Sequence, residues 1–94
     1  MKKIINGKLY NTETADLVAS DRYWDGNNWE RHGRNIFLYK TKKGSFFLHY
    51  TTLWQGEREQ IEPISPGEAK EWYERLPVQE TGYKEAFGIE PEEA

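Results

Sequence analysis

The sequence predicts an α+β domain in which an antiparallel sheet of four to five strands, built from hairpins, carries one amphipathic C-terminal helix on a face. Three stretches predict it: an aromatic-rich hairpin from Ile36 to Trp54, an Asn6-Gly7 turn between apolar residues, and a helix start at Ser65. A chain of 94 residues suits a single domain spanning 1–94, since domains typically contain about 100–150 residues. We expect residues 89–94 to form a frayed tail.

The first third of the chain is predicted to contain two strand regions and a long loop. Asn6-Gly7 is a strong two-residue turn signal, so Lys2 to Tyr10 is predicted to form a small hairpin. Ala15 to Ser20 is predicted to be a strand because hairpins surround it, although Thr14 could cap a helix there instead. Asp21 to Asn35 shows neither strand nor helix periodicity and is predicted to be a loop.

The central hairpin sets the register of the predicted sheet. Lys42, Lys43 and Gly44 suit a type I turn that ends in a left-handed residue, where glycine has no Cβ penalty. This three-residue loop places Thr41 opposite Ser45 and fixes the pairing of the two strands. Because both faces of the hairpin are then apolar, we expect it to be central in the sheet, with another element covering its second face. One face collects Ile36, Leu38, Phe46, Leu48 and Tyr50, and the other collects Phe37, Tyr39, Phe47 and His49.

A charged edge strand is predicted after the central hairpin. Gln55-Gly56 ends the hairpin, and the segment from Glu57 to Ile64 is typical of a short strand with Ile61 and Ile64 both pointing inward. Its charged residues discourage pairing with another chain, which suits the edge of a sheet.

The C-terminal helix is predicted to begin at Ser65, because Ser65 and Glu68 form a capping box around Pro66. Pro77 is expected to end it. Its apolar residues recur at helical spacing and form one stripe. The stripe consists of Ala69, Trp72, Tyr73 and Leu76.

One more helical turn is predicted near the C-terminus. Tyr83 to Phe87 supplies the turn and Gly88 closes it in the left-handed conformation. We expect Ile89 to pack back onto this turn.

The composition excludes several classes of protein. The chain has no cysteine, so disulfides and thiol chemistry are excluded, which fits a reducing cytoplasm. No apolar run approaches the roughly 18 residues of a membrane span, and Asn6-Gly7 interrupts the apolar start that a signal peptide would need. The net charge is −3, but residues 1–60 hold ten basic and seven acidic residues, whereas residues 61–94 hold three and nine. The C-terminal third is therefore expected to be acidic.

No pattern of catalytic or metal-binding residues stands out. No serine lies in a nucleophile elbow. His32 and His49 could meet in space, but they lack the spacing of metal ligands. The 16 acidic residues include no pair whose spacing marks a general acid and base. We therefore expect no enzyme, no catalytic residues, no metal and no cofactor.

The loop from Tyr23 to Arg34 is the first candidate site. It combines tryptophan, tyrosine and arginine, which are enriched at interface hot spots, and ordered loops longer than about 12 residues are often functional. Alternatively, its tryptophans fold back and cover the second face of the central hairpin. The candidate protein-binding residues are Tyr23, Trp24, Trp29, Arg31 and Arg34.

Two charged groups of residues are alternative sites. Lys40, Lys42 and Lys43 at the hairpin tip could contact nucleic-acid phosphates while the loop aromatics stack on bases. A pI of about 5.4 is low for that function, and lysines at a hairpin tip commonly serve solubility. The alternative acidic surface, which could imitate phosphates in a basic channel, comprises Glu62, Glu68, Glu71 and Glu74.

Three blocks of the sequence resemble a family of short proteins carried by bacterial phages and mobile elements. The first block reads Lys-Lys-Ile-Ile-Asn-Gly-Lys-Leu-Tyr-Asn-Thr-Glu-Thr-Ala within Met1 to Ala15. The second is Leu38 to His49, and the third is Ile61 to Trp72, where Ile-x-Pro-Ile-Ser precedes Glu-Ala-x-Glu-Trp. Together they cover about four tenths of the chain. The blocks match predicted turns, strands and the helix cap, so they bear on the fold, and no functional residue is carried over.

Some proteins of this type resemble anti-CRISPR inhibitors. The resemblance implies a non-enzymatic, phage- or element-encoded protein that binds and inhibits a host protein, with a CRISPR effector as the expected partner. A small nucleic-acid-binding regulator is the alternative. Either would act in the cytoplasm of a bacterial host without contacting a membrane.

Overall fold

The structure is a computed structural model that describes residues 1–21, 34–52 and 58–93. The predicted α+β class is confirmed, because a helix packs on a five-stranded antiparallel sheet and a separate two-stranded sheet precedes it in the chain. The strands are β1 (Lys2–Ile5), β2 (Lys8–Asn11), β3 (Asp16–Ser20), β4 (Arg34–Lys40), β5 (Phe46–Thr52), β6 (Gln60–Ile64) and β7 (Val78–Gln79), and the helices are α1 (Pro66–Arg75) and α2 (Tyr83–Phe87).

The central hairpin has the predicted register. The five-stranded sheet has the order β6-β5-β4-β3-β7, and Leu38 of β4 lies opposite Leu48 of β5. In the turn, the Thr41 N–H donates to the Ser45 carbonyl over 2.7 Å, and Gly44 has a φ of +91°. β4 begins at Arg34, two residues before the predicted start, because Arg34 and Asn35 pair with Thr52 and Thr51 of β5. The predicted end of the hairpin at Trp54 and the Gln55-Gly56 break lie outside the described residues.

The second face of the central hairpin is covered in part by the N-terminal hairpin. β1 and β2 pair around Asn6 and Gly7, which have φ of +52° and +75° as a type I′ turn requires. Tyr10 is buried against Phe47, with the two rings edge to face at 5.5 Å between centroids. Whether the loop tryptophans also cover this face is a prediction that falls outside the described residues.

The two isoleucines of β6 do not point the same way, so that prediction is wrong. Ile61 is 5% exposed and packs with Phe47 on the face covered by the N-terminal hairpin, whereas Ile64 packs against the cluster under α1. Residues three apart on a strand lie on opposite faces, because side chains alternate with a period of two. β6 still forms the edge of the sheet, as predicted.

Helix α1 begins as predicted and covers the other face of the sheet. The Ser65 hydroxyl accepts from the Glu68 N–H at 3.1 Å, and the Glu68 carboxylate accepts from the Ser65 N–H. Ala69 and Leu76 are buried, while Trp72 and Tyr73 are half-buried. The cluster beneath the helix includes Val18, Ala19, Leu38, Phe46 and Leu48.

The chain after α1 adds a strand that the sequence did not predict. β7 pairs with Ala19 and Ser20 of β3, so α1 leads from one edge of the sheet to the other. A register shift between Leu17 and Ala19 leaves Val18 as an extra residue, and its carbonyl accepts from the N–H groups of both residues that follow β7.

Helix α2 ends at Gly88 as predicted, but Ile89 does not pack back. Gly88 has a φ of +78° and its N–H donates to the Lys84 carbonyl. Phe87 takes the position next to the core, where its ring stacks on Phe46 at 5.3 Å between centroids. Ile89 is 54% exposed.

Candidate functional site

The structure describes the base of the predicted aromatic loop, where β3 ends and β4 begins. The Asp21 carboxylate is 6% exposed and accepts from the Asn35 side-chain amide at 3.1 Å and from the Ile36 N–H at 2.9 Å. The Asp21 N–H donates in turn to the Ile36 carbonyl at 3.2 Å. These bonds join the end of β3 to the start of β4. The candidate residues Tyr23, Trp24, Trp29 and Arg31, and the side chain of Arg34, lie outside the described residues.

A cavity of about 410 Å³ lies next to this base, between β4, β5 and the start of β6. Tyr50 lines it, and its hydroxyl donates to the Glu62 carboxylate at 3.0 Å. Burial, this hydrogen bond and the negative charge of Glu62 raise the pKa of Tyr50 to about 12. Burial also raises the pKa of Tyr39 on the opposite face. Both phenols are therefore neutral hydrogen-bonding groups at physiological pH.

The structure gives two of the four candidate acidic residues a local structural role. Glu62 accepts from Tyr50, and Glu68 belongs to the helix cap. Glu71 and Glu74 are exposed on α1 and share the side of the helix that carries Glu68. Two of the four carboxylates are therefore already engaged by groups of this chain.

The structure separates the three candidate lysines. Lys40 lies on the α1 side of the sheet, where its ammonium is 5.8 Å from the centroid of the Phe46 ring. Lys42 and Lys43 lie at the hairpin tip and line one cleft with Lys8, the first residue of β2. Lys42 also pairs with Asp16 at 2.9 Å, with both side chains mostly exposed. The basic group in space is therefore Lys8, Lys42 and Lys43.

The His49 side chain is largely buried and is surrounded by groups of the fold. Its side chain is 10% exposed, and Nε2 lies 3.0 Å from a Glu59 carboxylate oxygen. The rings of Phe37 and Tyr39 lie 6.0 and 6.3 Å from the imidazole, measured between centroids. His32 lies outside the described residues, so a meeting of the two histidines stays a prediction.

One exposed apolar surface was missed by the sequence analysis. Ile4 and Leu9 lie directly opposite each other on β1 and β2 and are 71% and 57% exposed. They occupy the outer face of the N-terminal hairpin, since Ile5 and Tyr10 occupy the inner face. The sequence contains the signal, because each strand has two adjacent apolar residues and only one of each pair can face the sheet. We call Ile4, Leu9 and the neighbouring Lys2 the outer hairpin surface.

Comparison of the chain with protein-family models, with curated proteins and with solved structures found no match.

The described residues contain neither a metal-binding cluster nor a membrane-spanning helix. No group of three or more histidine or acidic side chains is arranged to hold a metal ion within residues 1–21, 34–52 and 58–93. Within the same ranges, neither helix has the length and apolarity needed to cross a membrane.

Proposed function

We propose that this protein is a non-enzymatic binding protein, encoded by a phage or mobile element, that attaches to a bacterial host protein and inhibits it. A CRISPR effector is the proposed host protein. The resemblance of the three sequence blocks to proteins of the anti-CRISPR type supports the choice of target. The outer hairpin surface supports the binding role and carries the proposal.

The outer hairpin surface has the features of a docking site for protein. Fully burying an exposed aliphatic side chain contributes about 1.5–3 kcal/mol, and Ile4 and Leu9, which are 71% and 57% exposed, can contribute the corresponding part of it. The hairpin is held in place from behind, because Tyr10 is buried against Phe47. A surface that is already rigid loses little conformational entropy on binding.

The charge of the hairpin defines the partner surface. Residues 1–12 include three lysines, Lys2, Lys3 and Lys8, and no acidic residue. An apolar pair on a hairpin of positive charge is complementary to an apolar site with acidic neighbours, since opposite potentials favour the encounter and disfavour other partners. The proposed contact on the host protein is therefore acidic around an apolar centre. The aromatic loop, with Trp24 and Trp29, is the proposed second contact.

The test is binding of purified CRISPR effectors to the immobilised protein. We expect the double variant Ile4→Ser/Leu9→Ser to remove at least about 2 kcal/mol of binding, which is about thirtyfold in Kd. Ile89→Ser is the matched control, since Ile89 is 54% exposed at a distant position in the chain. Circular dichroism of each variant verifies the fold.

The outcomes separate the two contacts. Trp24→Ala and Trp29→Ala are expected to weaken binding if the aromatic loop is the second contact. Equal affinity of the double variant and the Ile89→Ser control would rule out the outer hairpin surface. The absence of wild-type binding to any effector would rule out the proposed target.

A further inference from the structure

A cleft lies between the turns of the two hairpins and shares Leu9 with the outer hairpin surface. It has a volume of about 530 Å³ and is bounded on one side by the β1–β2 turn and on the other by the β4–β5 turn. The sequence offers no sign of it, because its two walls are more than thirty residues apart and meet only when Tyr10 packs on Phe47. Its polar lining residues are Lys8, Thr14, Thr41, Lys42, Lys43 and Ser45.

The cleft is positively charged. Three of its lining residues are lysines and none is acidic. Lys8 and Lys43 form no ion pair with the part of the chain that the structure describes. Lys42 is paired with Asp16, but this pair is on the surface, with 70% and 60% of the two side chains exposed. Such exposed pairs contribute at most about 1 kcal/mol, so Lys42 can turn to an incoming anion at little cost.

Hydroxyl groups accompany the three ammonium groups. Thr14, Thr41 and Ser45 line the cleft, and the Thr41 oxygen already accepts from the Ser45 N–H at 3.0 Å. Because that bond uses only a lone pair of the oxygen, the Thr41 O–H can still donate. Lysine point charges combined with serine and threonine donors are typical contacts of phosphate groups. A cleft of 530 Å³ is much larger than one phosphate, and Leu9 and Tyr10 are also among its lining residues.

We propose that this cleft binds the phosphate group of a nucleotide, either free or within a single strand of nucleic acid. Lys8 and Lys43 hold the phosphate charge, and the hydroxyls of Thr41 and Ser45 donate to its oxygens. The rest of the cleft volume holds the sugar and base. Nucleotide binding in this cleft does not require that the protein also inhibits a host protein.

Three probes test the proposal: inorganic phosphate, ATP and a fluorescent single-stranded oligonucleotide, each at low ionic strength. Amide chemical shifts of the wild-type protein are expected to move at the two turns with each probe. We expect Lys8→Glu/Lys43→Glu to weaken oligonucleotide or ATP binding at least about tenfold. The double variant Lys3→Glu/Lys84→Glu is the matched control, since it makes the same change of net charge at exposed lysines outside the cleft.

The pattern of binding identifies the source of the phosphate. If a strand is the ligand, the oligonucleotide binds more tightly than ATP, and the magnitude of the slope of log K against log salt falls by about 0.7 in Lys8→Glu/Lys43→Glu, because both lysines hold the same phosphate. If a free nucleotide is the ligand, ATP binds at least as tightly as the oligonucleotide. Lys8→Gln/Lys43→Gln repeats the test with a smaller perturbation, and circular dichroism checks that each variant folds.

Two results would overturn the proposal. One is equal weakening by the cleft variant and its control, which would make the attraction a property of net charge. The other is the absence of chemical-shift changes at the two turns at millimolar concentrations of all three probes.

Discussion

Gly44 shows how a single residue fixes the register of the central hairpin. Its φ of +91° is a conformation that L side chains rarely adopt. No heavy atom lies within 4 Å of the position that a Cβ would take, so a side chain there meets open space. The cost of substitution therefore comes from the backbone and not from a steric clash with neighbours.

We expect Gly44→Val to lower the free energy of unfolding by about 1–2 kcal/mol, because a β-branched residue is strained at positive φ. Lys43→Ala, in the same turn, is expected to change it by less than about 0.5 kcal/mol. Chemical denaturation measures both. Equal losses in the two variants would mean that the turn does not depend on a left-handed residue at position 44.

Trp72 shows where residue-level prediction stops. The helical stripe identified it as a core residue, but it is only half-buried, and the Arg75 guanidinium lies 5.4 Å from the centroid of its ring. Ala69 and Leu76 are the residues of the stripe that are fully buried. Spacing defines the face of a helix that packs, but the depth of each residue depends on the shape of the sheet beneath it.

Among the elements, α1 has the most clearly encoded boundary. Both halves of its capping box are formed, so the Ser65 hydroxyl and the Glu68 carboxylate each satisfy a backbone N–H that would otherwise lack a partner. The helix also carries the residues that close one face of the sheet. Loss of the cap therefore affects the stability of the whole domain.

Ser65→Ala is expected to lower the free energy of unfolding by about 1 kcal/mol, because the N–H of Glu68 loses its acceptor. Ser65→Asn keeps an oxygen at the cap and is expected to stay within a few tenths of a kcal/mol of the wild type. Thermal or chemical denaturation distinguishes them. The cap would contribute nothing if the alanine and asparagine variants were equally stable.

Local signals predicted most elements, and long-range packing accounts for the rest. Turns, caps and alternation were sufficient for both hairpins and α1, because each signal acts within a few residues. β7 has only two residues and no periodicity, so it exists only because β3 offers it an edge. Ile61 and Ile64 were predicted to share a face despite a spacing of three, which the strand period excludes.

The same contrast between local signals and long-range packing applies to the candidate sites. Side chains alternate between the two faces along β4, so this pattern alone could have shown that Lys40 belongs to a face of the sheet and not to the group of lysines at the tip. The approach of Lys8 to Lys43 required the packing of one hairpin on another, which no local pattern encodes. The exposure of Ile4 and Leu9 likewise depends on which face of the N-terminal hairpin meets the sheet.

For the molecule as a whole, Tyr50 links stability to alkaline pH. Its pKa is raised from 10.0 to about 12, so the folded state favours the neutral phenol more than the unfolded state does. This contribution to stability is present in full below pH 10 and is lost as the pH rises through 12. The bond from Tyr50 to Glu62 joins β5 to the edge strand β6.

We expect wild-type protein to lose more stability than Tyr50→Phe as the pH is raised from about 9 to 12, since only the wild type has this phenol to ionise. Tyrosinate absorbance is the second measurement. In that titration, Glu62→Gln is expected to lower the pH at which the Tyr50 phenol ionises, because the nearby negative charge is removed. Identical normalised titration curves for wild type and Tyr50→Phe would contradict the assignment.

The position of β7 has a consequence for how the chain folds as it is synthesised. β3 is made early, but its outer edge is paired only by a strand some sixty residues later, and the Thr81 hydroxyl that donates to the Leu17 carbonyl is 64 residues away. A nascent chain that has already formed the central hairpin therefore carries an uncovered strand edge at β3. Such edges are templates for pairing with other chains. The order of the strands along the sequence thus leaves the outer edge of β3 open to misassembly until β7 has been made.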